Sequence, residues 1–269
     1  MSNSNLISQI SLAGYLITFL FLLRICSIKV SRTWFIPLFA LYFGLVFATL
    51  LAVFFDGAIS SRLLSENSLP ILILDAFNPL NGRGRVMFGG YFGSIFGIWL
   101  ANSIFWHKSL SEFLDISAIS WSIFLVIFRI GCFVGGCCYG IPCSFGISFH
   151  KSTSAFRHLR GTDLIAGDST VPLLPTQLIS SGGNLIIFLF LLILFCKNKT
   201  RYPYFYFFVH ALLYGIGRFV IEFFRIDPRE FWGPLSMSQW LSLVLVATSL
   251  IFFIKNRKEI AKSLQHREQ

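Results

Sequence analysis

The sequence predicts an all-α integral membrane protein with about seven transmembrane helices. Three observations carry this expectation. Charged residues make up 13% of the chain against 55% hydrophobic, whereas soluble domains are about 25% charged. Mean hydropathy is +0.72, and several stretches reach the roughly 20 apolar residues that span a hydrocarbon core. The basic residues, finally, lie largely between the apolar runs, where they orient a chain in a bilayer.

The spans run Ser8–Ile28, Phe35–Phe55, Val86–Trp106, Ile116–Val134, Gln177–Cys196, Tyr204–Phe224 and Met237–Ile254. The first lacks a basic n-region and a small-residue cleavage site, so it reads as a retained helix. Lys29 and Arg32 follow span one, and Lys108 follows span three. Lys197, Lys199 and Arg201 follow span five, and Lys255, Arg257, Lys258, Lys262 and Arg267 follow span seven. All fall on one side, which places the N-terminus outside and the C-terminus in the cytoplasm. The long connections 56–85 and 139–176 then face outward, and loops of that length are often functional. The basic stretch 255–269 reads as a solvated helical tail at the inner headgroups. No tandem repeat or soluble domain interrupts 1–269, which reads as one polytopic domain. The net charge of +10 meets anionic headgroups rather than nucleic acid, since no basic amphipathic domain carries it.

Ionisable groups inside a bilayer are costly and point to function. Arg24 sits near the inner end of span one and can snorkel. His210, in span six, reads as a neutral imidazole bonded to a neighbouring helix. Arg129 ends the apolar run "WSIFLVIF" and opens "RIGCFVGGCCYG". It either snorkels or points into a headgroup pocket. Span six ends "YGIGRFVIEFFR", with Tyr214, Arg218, Glu222 and Arg225 at i, i+4, i+8 and i+11, on one helix face. An Arg218–Glu222 pair would neutralise itself and leave Arg225 and Arg129 over. Excess guanidinium beside an anionic bilayer suggests a phosphate ligand, because its fork matches phosphate oxygens.

Small residues accompany these charges. "MFGGYFGSIFG" carries Gly89, Gly90, Gly93 and Gly97, and the Arg129 segment carries Gly131, Gly135, Gly136 and Gly140. Such spacing allows close helix approach. The doublets Gly89-Gly90 and Gly135-Gly136 alternatively mark unwound backbone lining a cavity. Cys132, Cys137, Cys138 and Cys143 lie within twelve residues. Three roles stay open for them: small buried hydrophobes, a disulfide with Cys143 as the easier partner, or a reactive or metal-bound thiolate, at a spacing unlike standard zinc sites.

Together the motifs resemble the prolipoprotein diacylglyceryl transferase family. "RIGCFVGGCCYG" resembles its arginine-x-glycine signature, and "YGIGRFVIEFFR" its tyrosine-glycine…arginine…glutamate…arginine helix. "MFGGYFGS", "LPTQLIS" and "LSMSQWLSL" resemble three further segments, in order from about Gly14 to Phe253. The resemblance implies a multi-pass enzyme of the bacterial inner membrane. It would move a diacylglyceryl group from phosphatidylglycerol to the lipobox cysteine thiol of prolipoprotein signal peptides, with no cofactor and no metal. Arg129 and Arg218 would hold the phosphate and Glu222 would orient Arg218. Gly89, Gly90, Gly131, Gln177, Tyr214 and Arg225 would contact substrate, and Tyr139 and Gly140 would shape the pocket entrance.

The chain also departs from that pattern. Phe88 stands where the family has histidine, Cys132 for asparagine, Cys137 for glutamate, Leu174 for histidine, and Ile179-Ser180 for tyrosine-glutamate. The sequence therefore reads as a divergent, cysteine-rich relative. Tyr15, Tyr91 and Tyr139 are the candidates left for handling a proton, although a phenol of pKa near 10 is a poor base. A different acceptor or a non-catalytic lipid-binding role are the alternatives. A transporter is disfavoured because no inverted repeat pairs the halves.

Overall fold

A computed structural model describes residues 3–26, 33–55, 87–106, 110–197, 202–229 and 231–265. The connection 56–85 lies outside the described residues, as do the orienting residues Lys29, Arg32, Lys108, Lys199, Arg201 and Arg267. The seven expected segments appear as helices α1 (Asn3–Ile25), α2 (Ile36–Phe55), α3 (Met87–Ala101), α4 (Leu110–Gly135), α6 (Thr176–Lys197), α7 (Phe205–Glu222) and α8 (Met237–Gln265). A short helix α5 (Ser154–Leu159) lies between α4 and α6. A π-turn, Asn102–Trp106, extends α3. Helices 110–135, 176–197, 205–222 and 237–263 are each long and apolar enough to cross a membrane.

The bundle turns apolar side chains outward, as a lipid-facing surface does, and buries polar groups among an apolar core. On α6 the buried stripe begins Thr176, Gln177, Ser181 and Asn184, while Ile186, Phe190 and Ile193 face outward. Ser117, Ser120, Ser122 and Arg129 are likewise buried on α4. Two of these groups find partners across helices: Ser181 Oγ donates to the Val126 carbonyl at 2.9 Å, and the Tyr15 and Ser117 hydroxyls lie 2.8 Å apart. Asp115, buried on α4, accepts the Phe207 N–H at 2.8 Å. A carboxylate there satisfies one of the orphan amides at the N-terminus of α7 and complements its dipole.

α4 is the hub of the described bundle: α1, α6 and α7 all pack on it, α8 packs on α7, and α2 packs along α3. Glycine makes the α2–α3 seam. A Cβ at Gly89, Gly93 or Gly97 would overlap the Phe47, Phe43 or Phe39 carbonyl respectively. Gly90 faces α4 instead, where a Cβ would lie 3.1 Å from Trp121. Gly89-Gly90 therefore sits in regular helix given over to packing, not in unwound backbone. The second doublet does end its helix. Gly136 has φ +68°, and the bonds Gly136 N–H to Phe133 O and Cys137 N–H to Cys132 O, each 3.1 Å, form a Schellman motif.

The connection 139–176 folds into a cap with its own core. Strand β1 (Pro142–Ile147) bridges to Leu173, and β2 (Ile165–Ala166) pairs antiparallel with β3 (Ser169–Thr170). Tyr139, Phe149, Ala155, Leu159 and Leu173 are buried together beneath it. Strands β4 (Phe231–Trp232) and β5 (Leu235–Ser236) form a hairpin leading into α8. A cavity of about 110 Å³ beside Asp115 and Tyr202 lies at the other end of α4, about 21 Å along the helix from Arg129 at 1.5 Å per residue.

The glycine seam is open to a direct test. Gly93→Val should destabilise the protein by about 1–3 kcal/mol, toward the upper end because the obstacle is backbone. Gly217→Ala, with open space around it, should leave thermal unfolding in detergent unchanged.

Candidate functional site

Three helices converge beneath the cap. α4 ends in the Cys137–Cys138 turn, α6 begins at Thr176, and α7 ends at Glu222. The segment Tyr139–Ile141 ties them together. Gly140 N–H donates to Leu174 O at 3.0 Å and Ile141 N–H to Phe224 O at 3.0 Å. A Cβ on Gly140 would meet the Phe224 carbonyl at 2.7 Å and the Leu174 carbonyl at 2.9 Å, so only glycine fits between them. Gly140 is thus needed for backbone approach. Tyr139 is buried in the cap core instead of standing at an entrance, and burial pushes its phenol up to about 12. It stays neutral at physiological pH and is no base.

Glu222 is the centre of the charged cluster. It is 3% exposed and meets three guanidinium groups: Arg218 at 2.5 Å, Arg229 at 3.0 Å and Arg225 at 3.2 Å. Ser236 Oγ donates to its Oε1 at 3.0 Å. Arg218 also donates to Ser238 Oγ at 3.0 Å. Arg229 caps the α7 end through the Glu222 and Arg225 carbonyls. Arg225 is not left over, as the sequence suggested. Asp227 accepts from its Nε at 2.9 Å and from its Nη2 at 2.6 Å, a bidentate pair.

Arg129 alone answers the expectation of excess charge. It is 4% exposed, it has no carboxylate or hydrogen-bond partner among the described residues, and its Nε is buried and unpaired. It lies within electrostatic reach of Arg225, Tyr214, Cys132 and Cys138. The cluster therefore holds four guanidiniums, Arg129, Arg218, Arg225 and Arg229, against two carboxylates, Glu222 and Asp227. Its two excess positive charges can accept an anion that brings its own oxygen acceptors.

The other expected residues divide. Tyr214 is buried beside the cluster and stacks on His210, with ring planes 4° apart. Phe88 packs against Tyr214 at 6.0 Å between ring centres. Gly131 is buried one half-turn past Arg129. Gln177 Nε2 donates to the Cys137 carbonyl at 2.7 Å, so it holds the cysteine turn while its Oε1 stays unpaired. Thr176 Oγ1 reaches the Cys138 carbonyl at 2.5 Å. Gly89 lies in the α2 seam and Gly90 against Trp121, which gives packing as the visible role of both.

No disulfide joins the cysteines among the described residues. The sulfurs of Cys132, Cys137 and Cys138 lie within 4.8 Å of one another, with Cys143 outside the group. Hydrogen bonds with the Cys132 and Cys137 thiols hold the Cys138 thiol well below its ordinary range, against burial and with help from Arg225 and Arg129.

Sequence reasoning missed Asp227, Arg229, Ser236 and Ser238. The serines lie in "LSMSQWLSL", a motif recognised without roles for its residues. Asp227 and Arg229 lie beyond the end of span six, where no helical periodicity places them against Glu222.

Glu222→Gln should leave three guanidiniums around a neutral amide. The expected loss is about 3–5 kcal/mol of stability, as when one partner of a buried ion pair is removed, measured by unfolding in detergent.

A family model described as prolipoprotein diacylglyceryl transferase matches residues 8–255. Among curated proteins, a phosphatidylglycerol–prolipoprotein diacylglyceryl transferase 2 of Clostridium perfringens is 33% identical over 182 residues, 66% of each chain. The corresponding transferase of Clostridium tetani is 31% identical over 64% of each chain. That of Dehalococcoides mccartyi (strain 195) is 29% identical over 76% of this chain and 74% of its own. The chain thus spans just under two thirds of the first two relatives.

Proposed function

The chain belongs to the prolipoprotein diacylglyceryl transferase family, and from that premise we propose that it transfers a diacylglyceryl group from phosphatidylglycerol to the lipobox cysteine of prolipoprotein signal peptides. The observation that carries the proposal is the unpaired, buried guanidinium of Arg129 in a cluster with excess positive charge.

The cluster suits the chemistry. The acceptor thiol's sulfur forms a bond to the glyceryl carbon. The bond from that carbon to the phosphate-ester oxygen breaks, and its electron pair leaves with glycerol phosphate. Negative charge grows on the phosphate in the transition state. Fixed guanidiniums in a water-poor site stabilise it without reorganising. Arg129 supplies the free fork. Glu222, held by Ser236, fixes Arg218, and Ser238 orients it from the other side. Arg225, tied to Asp227, contributes field more than a free donor. The thiol proton must leave as the nucleophile forms. Neither Phe88 nor the neutral Tyr139 takes it, so it passes to the departing phosphate, whose oxygens gain charge as the carbon–oxygen bond breaks.

In this proposal the protein sits in the bacterial cytoplasmic membrane with seven crossings. The N-terminus and the cap 139–176 face outward and the basic tail lies in the cytoplasm. A reporter fused after Gln269 should be active only as a cytoplasmic fusion. Activity confined to the outer side would reverse the orientation.

Purified protein in phosphatidylglycerol nanodiscs, given a lipobox peptide, should yield a diacylglyceryl adduct on the peptide cysteine by mass spectrometry. Arg129→Ala should lower the rate at least about 100-fold, the cost of one transition-state donor. Arg24→Ala, at an exposed position, should not. A wild-type protein that forms no adduct would support the non-catalytic alternative that Phe88 favours.

A further inference from the structure

The three-cysteine cluster is used by neither the bundle packing nor the proposed transfer. Its geometry follows from the end of α4. A Schellman motif sets its C″ residue against its C3 residue, usually as an apolar contact. Here those positions are Cys137 and Cys132, joined by the bond from Cys137 N–H to Cys132 O. Cys138 follows with φ +62°, a left-handed conformation that costs a side chain about 1–2 kcal/mol. The Thr176 hydroxyl and the Gln177 amide hold the Cys138 and Cys137 carbonyls. The turn is thereby fixed in the shape that brings the third thiol back to the first two. Cys137 and Cys138 Sγ lie 3.8 Å apart, and all three sulfurs lie within 4.8 Å of one another.

Those separations match a coordination site. A metal–sulfur bond of about 2.3 Å puts the sulfurs of a trigonal site about 4.0 Å apart. No histidine or carboxylate joins the group among the described residues, so the donors are sulfur alone. Thiolates of that kind select soft cations. Coordination number narrows the choice. Structural zinc takes four ligands, whereas this group offers three sulfurs and no fourth donor among the described residues, a set that suits a soft monovalent cation. Arg129 and Arg225 lie within electrostatic reach of Cys138.

We propose that Cys132, Cys137 and Cys138 form a three-thiolate site for a soft monovalent cation of the Cu(I) type. Binding displaces the remaining thiol protons to solvent and involves no change of oxidation state.

The test uses the full-length chain, reduced and anaerobic in detergent, with Cys26, Cys143 and Cys196 changed to serine. It is titrated with Cu(I) against a chromophoric chelator. The expected result is one Cu(I) retained per chain, with three sulfur neighbours by X-ray absorption. Cys137→Ala and Cys138→Ser, each added to that background and checked for an unchanged size-exclusion profile, should abolish retention. A background protein that yields all its Cu(I) to the chelator would overturn the site. So would a Cys137→Ala protein that keeps the ion with the same sulfur shell. Neither readout depends on transferase activity, so failure here leaves the transfer proposal standing and the converse also holds.

Discussion

Four guanidinium groups and two carboxylates are packed into a region where water is scarce, and the rest of the molecule is arranged around making that tolerable. A buried charge must be paired and hydrogen-bonded or it destabilises its surroundings by several kcal/mol. Glu222 does most of the pairing. It faces Arg218, Arg225 and Arg229 at once and takes a further hydrogen bond from Ser236. Asp227 takes the fork of Arg225. What is left unpaired is Arg129, on a different helix from the others. A site in which all charges but one are satisfied is well set to recognise an anion, because the ligand completes the network instead of displacing it.

The scaffold supports that arrangement in two ways. Backbone ties at Gly140, with Leu174 on one side and Phe224 on the other, fix the ends of α4, α6 and α7 relative to each other. This fixes Arg129 against the α7 cluster although 89 residues separate it from Arg218 along the chain. At the other end of the bundle, Asp115 on α4 caps α7. The two helices that carry the arginines are thus pinned near both ends. The glycine seam between α2 and α3 permits closer contact than larger side chains would allow.

Much of this was legible in the sequence because bilayer physics acts on short windows. Apolar length located all seven helices. The start of α4 was missed by six residues, since the apolar run from which the span was read opens only after Glu112 and Asp115, which are helical. The i, i+4, i+8 spacing placed Arg218 and Glu222 on one face, and they do pair. Other features depend on tertiary placement that no local pattern encodes. Arg225 looked free because its partner Asp227 lies beyond the helix end. Arg229 also lies beyond the helix end and turns back to Glu222. Gly89-Gly90 and Gly135-Gly136 are identical as doublets, yet one packs inside a helix and the other ends one. What separates them is the partner: the α2 carbonyls in the first case, a Schellman turn in the second.

The central claim is that Arg129 is kept unpaired to receive a lipid phosphate. Native mass spectrometry of the protein released from mixed phosphatidylglycerol and phosphatidylcholine nanodiscs tests it without requiring turnover. The account predicts that the wild-type chain retains phosphatidylglycerol preferentially and that Arg129→Gln, which keeps polar volume but removes the charge, loses that preference. Equal retention of both lipids by the wild type, or an undiminished preference in the Arg129→Gln protein, would contradict it.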